Sequence, residues 1–178
     1  MARTSVPTAP PLPARSFRDE FLQIYDAEHE RTLRVLRAYP KEKVDLRPHP
    51  KSKTALELAW IFVTEQGAVE KALTTGFDWA KTLEIRRPPE TLDAIIEAFR
   101  KSHQHVRGLI SVQRDEELAE TVQFPVGPGR IGEWKKTDFL RQVLYDQIHH
   151  RGQFTVYLRL ADAKVPSVYG PTADEPWF

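Results

Sequence analysis

Four stretches of this chain space their apolar residues at steps of three and four, and such a chain covers its apolar stripes by packing helix on helix. The first stretch begins at Phe17 and carries Phe21, Leu22, Ile24, Tyr25, Leu33, Val35, Leu36 and Tyr39, with Ser16 as a cap and Pro40 as a stop. The loop "KEKVDLRPHPKSK" has two X-Pro steps, which favour extended backbone. Thr54 then opens "TALELAWIFVTEQGAVEKAL", a second helix ending near Thr74 to Gly76, with Gly67 a small cost inside it. In "RRPPETLDAIIEAFRKSHQHVRGLISVQ" two prolines precede the first turn, and Leu92, Ile96, Phe99, Val106 and Ile110 share one stripe of a third. A fourth starts at a Thr137 or Asp138 cap and aligns Phe139, Val143, Asp146, His150, Phe154, Tyr157 and Ala161.

Between the third and fourth helices, residues 114–137 hold "FPVGPGRIGEW", whose glycines and prolines predict an irregular crossover with room for a short hairpin. "KVPSVYGPTADEPWF" reads as an ordered tail laid across the helices. The expected fold is therefore all-α: a four-helix bundle with one long crossover and an ordered C-terminal tail. At 178 residues one domain is expected, over 16–178, with the proline-rich residues 1–15 as a flexible arm. That arm lacks the roughly 7 to 15 apolar residues of a signal peptide, and nothing approaches the roughly 20 of a membrane span. A soluble, cytoplasmic protein is expected.

Charge and cysteine usage exclude several function classes. Basic and acidic side chains number 26 and 25, so no electrostatic case for nucleic acid or an anionic membrane arises. With no cysteine there is no disulfide, zinc-thiolate site or thiol nucleophile, and the six histidines must supply any nitrogen ligands. Dinucleotide, P-loop, nucleophile-elbow and HExxH signatures are all missing.

What remains is "DQIHHRGQFTVYLR", which puts ionisable groups on the inward stripe of the fourth helix. Asp146 and His150 stand four residues apart and point the same way, so a carboxylate oxygen and an imidazole nitrogen can meet on one cation. A third ligand must come from another helix. The order of preference is Glu65, which shares a stripe with Leu58, Ile61, Val69 and Ala72, then His29, then His103. The competing reading is a hydrogen-bonded Asp146–His150 couple, with His149 at the boundary, His103 and His105 flanking a solvated face, and His49 in a loop. Arg151 and Arg159 are expected to pair with carboxylates or the tail.

The run "IHHRGQFTVYLR", with "VPSVYGPTADE" after it and "YPKEKVDLRPHPKSKTALELAWIFVTE" upstream, resembles the DinB/YfiT-like superfamily of damage-inducible four-helix-bundle proteins, over most of residues 17–175. The resemblance implies one divalent metal, nickel or zinc, held by three histidines. On this sequence those positions fall on Ile61, Asp146 and His150, so only His150 keeps the ligand type. Aspartate at 146 suits manganese or magnesium better, while Ile61 removes a ligand that Glu65, one turn of about 5 Å away, can replace. The resemblance further implies a metal-dependent hydrolase or thiol S-transferase acting on a small molecule, and a homodimer. The alternative is a metal-free protein that binds a small ligand on the same fold. Damage induction, which the family name suggests, concerns regulation and has no correlate in the residues.

Overall fold

The computed structural model describes residues 16–78 and 87–178; the arm expected over 1–15 lies outside them. Helix α1 spans Phe17–Arg37, α2 Ala55–Leu73, α3 Leu92–Ser111, the short α4 Asp115–Leu118, and α5 Lys136–Leu160. Local chemistry explains the starts of the first three. Ser16 Oγ accepts from the Asp19 amide, Thr91 Oγ1 from Ala94, and Thr54 and Glu57 form a reciprocal capping box at α2. Helix α5 begins one residue before the expected Thr137 cap, with Lys135 in the cap position and no side chain closing it.

Each long helix packs on two long neighbours: α2 lies against α3 and α5, and α1 lies against the same two. The interior divides by chemistry into three levels. At one end Leu33, Leu36, Leu58, Phe62, Ile95, Phe99, Phe154 and Leu158 belong to one apolar cluster. At the other end Phe21, Val69, Val106, Ile110, Phe139, Leu140 and Leu144 belong to a second. Between them every long helix buries polar side chains instead: Glu28, His29 and Thr32 on α1, Gln66 on α2, His103 on α3, Gln147 and Arg151 on α5. This polar level is the part of the fold that positions the site.

The expectation of an all-α chain is corrected by the crossover, where strands β1 (Thr121–Gly127) and β2 (Arg130–Lys135) form an antiparallel hairpin. Val122 and Phe124 alternate toward the core, and Phe124 meets Phe139 edge-on at 4.8 Å. Gly129, at φ +67, supplies the left-handed turn residue. Opposite Phe124 stands Gly132, where a Cβ would come within 2.7 Å of Val126 Cγ1. Glycine and proline in this run thus serve a tight ladder rather than an irregular loop. Ahead of the hairpin, the Asp115 carboxylate accepts from the amides of Phe17 and Arg18 at 3.2 and 3.3 Å, tying the crossover to the start of α1.

The tail runs over α1 and α5. Arg34 donates to the Ser167 carbonyl at 2.8 Å and pairs with Glu175, Arg159 pairs with Asp174 at 2.6 Å, and Val165 and Val168 pack on the first apolar cluster. Beneath it Arg151 meets Glu28 at 2.6 Å and donates to the Tyr169 hydroxyl, which itself donates to Glu28 at 2.5 Å. Among the described residues no helix is long and apolar enough to cross a membrane.

Candidate metal centre

Glu65 projects from the middle of α2 toward α5, where Asp146 and His150 stand one turn apart. One ligand atom from each lies within 4.8 Å of the other two. His150 Nε2 is 3.5 Å from Glu65 Oε1 and 3.6 Å from Asp146 Oδ1. The second distance exceeds a hydrogen bond, so the expected Asp146–His150 couple stands at ion-pair distance, without the hydrogen bond. Glu65 and His150 are mostly shielded, while the Asp146 side chain is 49% exposed and forms the open side of the group.

The proton inventory suits a cation. His150 Nδ1 faces Gln153 Oε1 at 3.2 Å, and a proton on Nδ1 donated there leaves the Nε2 lone pair facing the carboxylates. Both oxygens of Glu65 are buried without a hydrogen bond. Burial first, and the Asp146 carboxylate second, push the Glu65 carboxyl up to about 9, with the nearby Gln147 amide acting in the opposite direction. Glu65 can be ionised beside Asp146 at neutral pH only where positive charge offsets the pair, and the half-buried imidazole adds a neutral nitrogen donor. The donor set of two oxygens and one nitrogen, with an open side at Asp146, therefore fits one divalent ion.

Helical phase placed Asp146 and His150 on the core stripe, but the buried line of α5 is Phe139, Leu140, Leu144, Gln147, Arg151, Phe154, Tyr157 and Leu158. Asp146 and His150 flank that line and so face the α2 border. On α2 likewise Phe62 and Gln66 are buried, while Ile61 and Glu65 lie half-buried beside them. Ile61 packs against the first apolar cluster and brings no donor. The two lower-ranked ligand candidates lie elsewhere: His29 and His103 stack on each other at 3.7 Å, and His103 Nε2 meets Asp26 at 3.0 Å. His103 is thus buried rather than on a solvated face, since its stripe partners Phe99 and Val106 carry it inward. His149 is exposed at the boundary, and Arg151 pairs with both Glu28 and the tail as expected. Sequence reasoning missed Gln153 and Gln147; Gln153, three residues beyond His150, carried the one available signal, helical adjacency.

A cleft of about 530 Å³ between α1 and the tail, lined by Arg31, Arg34, Arg37 and Ser167 among others, shares no residue with the group.

Comparison with known proteins places this geometry in context. The chain is 27% identical over 159 residues to the uncharacterised protein YrdA of Bacillus subtilis (strain 168), covering 88% of this chain and 90% of that protein. A DinB-like protein of Bacillus cereus ATCC 10987 superposes with a TM-score of 0.70 at 28% identity, over 85% of this chain and 97% of its own. The DinB-like protein YjoA of Bacillus subtilis shares the fold, with a TM-score of 0.68 at 14% identity, over 84% and 97%. The family model described as "DinB family" matches residues 12–176. The chain belongs to the DinB family.

Proposed function

We propose that Glu65, Asp146 and His150 hold one divalent cation and that the protein is a small metal-dependent enzyme, a hydrolase or a thiol S-transferase acting on a small molecule. The observation that carries this reading is the convergence of three donors from two helices within 4.8 Å, in which the buried oxygens of Glu65 have no other partner. Two oxygens to one nitrogen favour manganese, with zinc next, over the nickel that three histidines would select. A cation held here supplies acidity, so that a water or thiol nucleophile loses its proton nearer neutral pH. Glu65 gives up its proton when the ion enters, His150 is oriented through Gln153, and the exposed edge of Asp146 is the approach for substrate.

Metal content by plasma mass spectrometry, on protein purified without chelators, tests the reading. Near one equivalent in the native chain, lost in His150→Ala, supports it; traces of metal unchanged by the substitution sink it.

A second reading has its own observation. Glu65 carries its proton up to about pH 9, so the group persists as a neutral acid beside Asp146 and His150 without any ion, and Ile61 removes the ligand that relatives are expected to supply. A metal-free ligand-binding protein is the outcome if the metal assay fails. In either case the four long helices are read as a four-helix bundle, residues 16–178 as one domain working in the cytoplasm, and the exposed Tyr145, Tyr169 and Trp177 as surface covered in a homodimer. A monomeric mass by light scattering at micromolar concentration contradicts the dimer.

A further inference from the structure

The cleft between α1 and the tail has two unlike walls. One is a face of α1, where Arg31, Arg34 and Arg37 follow one another at steps of three, with Glu30 at the N-terminal end. The other is Ser167 and Val168 of the tail. The cleft's volume of about 530 Å³ lies within the range of small-molecule sites, roughly 300 to 1,000 Å³.

Contacts within the protein hold two of the arginines in place and leave most of their N–H donors unused. Arg31 gives one N–H to Glu28 at 2.7 Å and lies over the Tyr169 ring at 5.2 Å. Arg34 reaches Glu175 and the Ser167 carbonyl. Arg37 makes no hydrogen bond or ion pair among the described residues. On the tail wall the polar groups are already engaged. Ser167 Oγ donates to the Gly170 carbonyl at 2.7 Å and accepts from Trp177 Nε1 at 3.1 Å, while the Ser167 amide donates to Glu175 at 2.7 Å.

We propose that this cleft binds a small organic carboxylate, a monoanion with an apolar body. The chemistry of the walls selects the class. A guanidinium donates and cannot accept, so the guest must accept, and the planar fork of Arg37 suits the two oxygens of a carboxylate. A single negative charge is enough. Glu28 and Glu175 already neutralise Arg31 and Arg34, and both Glu30 and the C-terminal end of the α1 dipole disfavour a second charge. Val168 and the aliphatic stems of the arginines form the apolar bed for the body of the guest. Because the guest would touch α1 and the tail together, its binding should also steady the tail. The inference does not rest on Glu65, Asp146 and His150 binding a cation, since the cleft shares no residue with them.

The test titrates naphthoate, its neutral amide and naphthyl phosphate into isotope-labelled full-length protein in the presence of a chelator. Magnetic resonance follows the Arg37 side-chain N–H and the amides of Ser167 and Val168. Expected with naphthoate are saturable shifts at all of these and slower amide exchange across residues 165–175, neither of which the amide produces. Affinity should weaken about fivefold to tenfold in Arg37→Gln and less in Arg37→Lys, which keeps the charge. Arg37 is exposed and outside both apolar clusters, so Arg37→Gln should melt where the native chain does. Shifts confined to other parts of the protein overturn the proposal, as do equal binding of the neutral amide, tighter binding of the phosphate, or an affinity that Arg37→Gln leaves unchanged.

Discussion

Glu65 is caught between two demands: α2 buries its carboxyl, and Asp146 sets a like charge beside it. The carboxyl's ordinary value lies near 4.5 and its folded value near 9, so the folded state keeps a proton that the unfolded chain releases. The sign follows: this group favours folding fully below about 4.5, and its contribution falls as pH rises toward 9. Metal-free Glu65→Gln is thus expected to unfold at higher temperature than the native chain at pH 8, by on the order of 1 to 3 kcal/mol, and to match it at pH 4. Calorimetric melting across that range checks it, and a Glu65→Gln variant no more stable than the native chain at pH 8 would contradict it. His29 behaves in the opposite direction. Burial, with the neighbouring His103 and arginines adding to it, pulls its ring down to about 3. Its stabilising share is complete above about 6.5 and is lost as pH falls toward 3. His29→Leu should flatten the acid limb of the stability curve by roughly 2 kcal/mol, read by urea unfolding at pH 7 and pH 4.5.

At the scale of elements, α5 carries three jobs on three adjacent strips: core contact, the candidate metal centre, and the anchor for the tail. The anchor is the least replaceable. Arg151→Met would leave Glu28 buried beside Tyr169 without its main counter-charge, and a loss of about 3 to 5 kcal/mol is expected in chemical denaturation. Tyr169→Phe keeps the ion pair and should cost only about 1 kcal/mol, while speeding amide exchange in residues 165–175. In the hairpin, Gly132→Ala forces a Cβ against Val126 and should lower the melting temperature by an amount equivalent to about 1 to 3 kcal/mol. The four long helices were legible because each repeats its apolar residues over many turns, the first three with a capping side chain at the start. The hairpin was legible only as a short one within an irregular crossover, since six- and seven-residue strands built around Pro125, Gly127, Gly129 and Gly132 carry turn chemistry and strand alternation together. Asp146, His150 and Glu65 could be named from phase and family likeness. Their meeting between the second and last long helices could be expected too; their place beside the buried stripe rather than on it could not, because an error of a third of a turn separates Asp146 from the buried Gln147.

For the molecule as a whole, the candidate centre bridges α2 and α5 at the level where apolar packing is interrupted. A cation that binds only the folded arrangement adds about 2.7 kcal/mol at one hundred times its dissociation constant. Manganese should accordingly raise the melting temperature of the native chain and leave that of His150→Ala unchanged, which differential scanning calorimetry reads directly. The same polar level makes folding depend on partners far apart in the chain. Glu28 on α1 accepts its guanidinium from Arg151, 123 residues later, and its phenol from Tyr169, 141 residues later. During synthesis, therefore, the first helix leaves the ribosome with an acid that must stay hydrated until the last helix and tail have emerged. Folding of this chain is expected to be post-translational, and an arrested nascent chain ending before α5 should remain protease-sensitive.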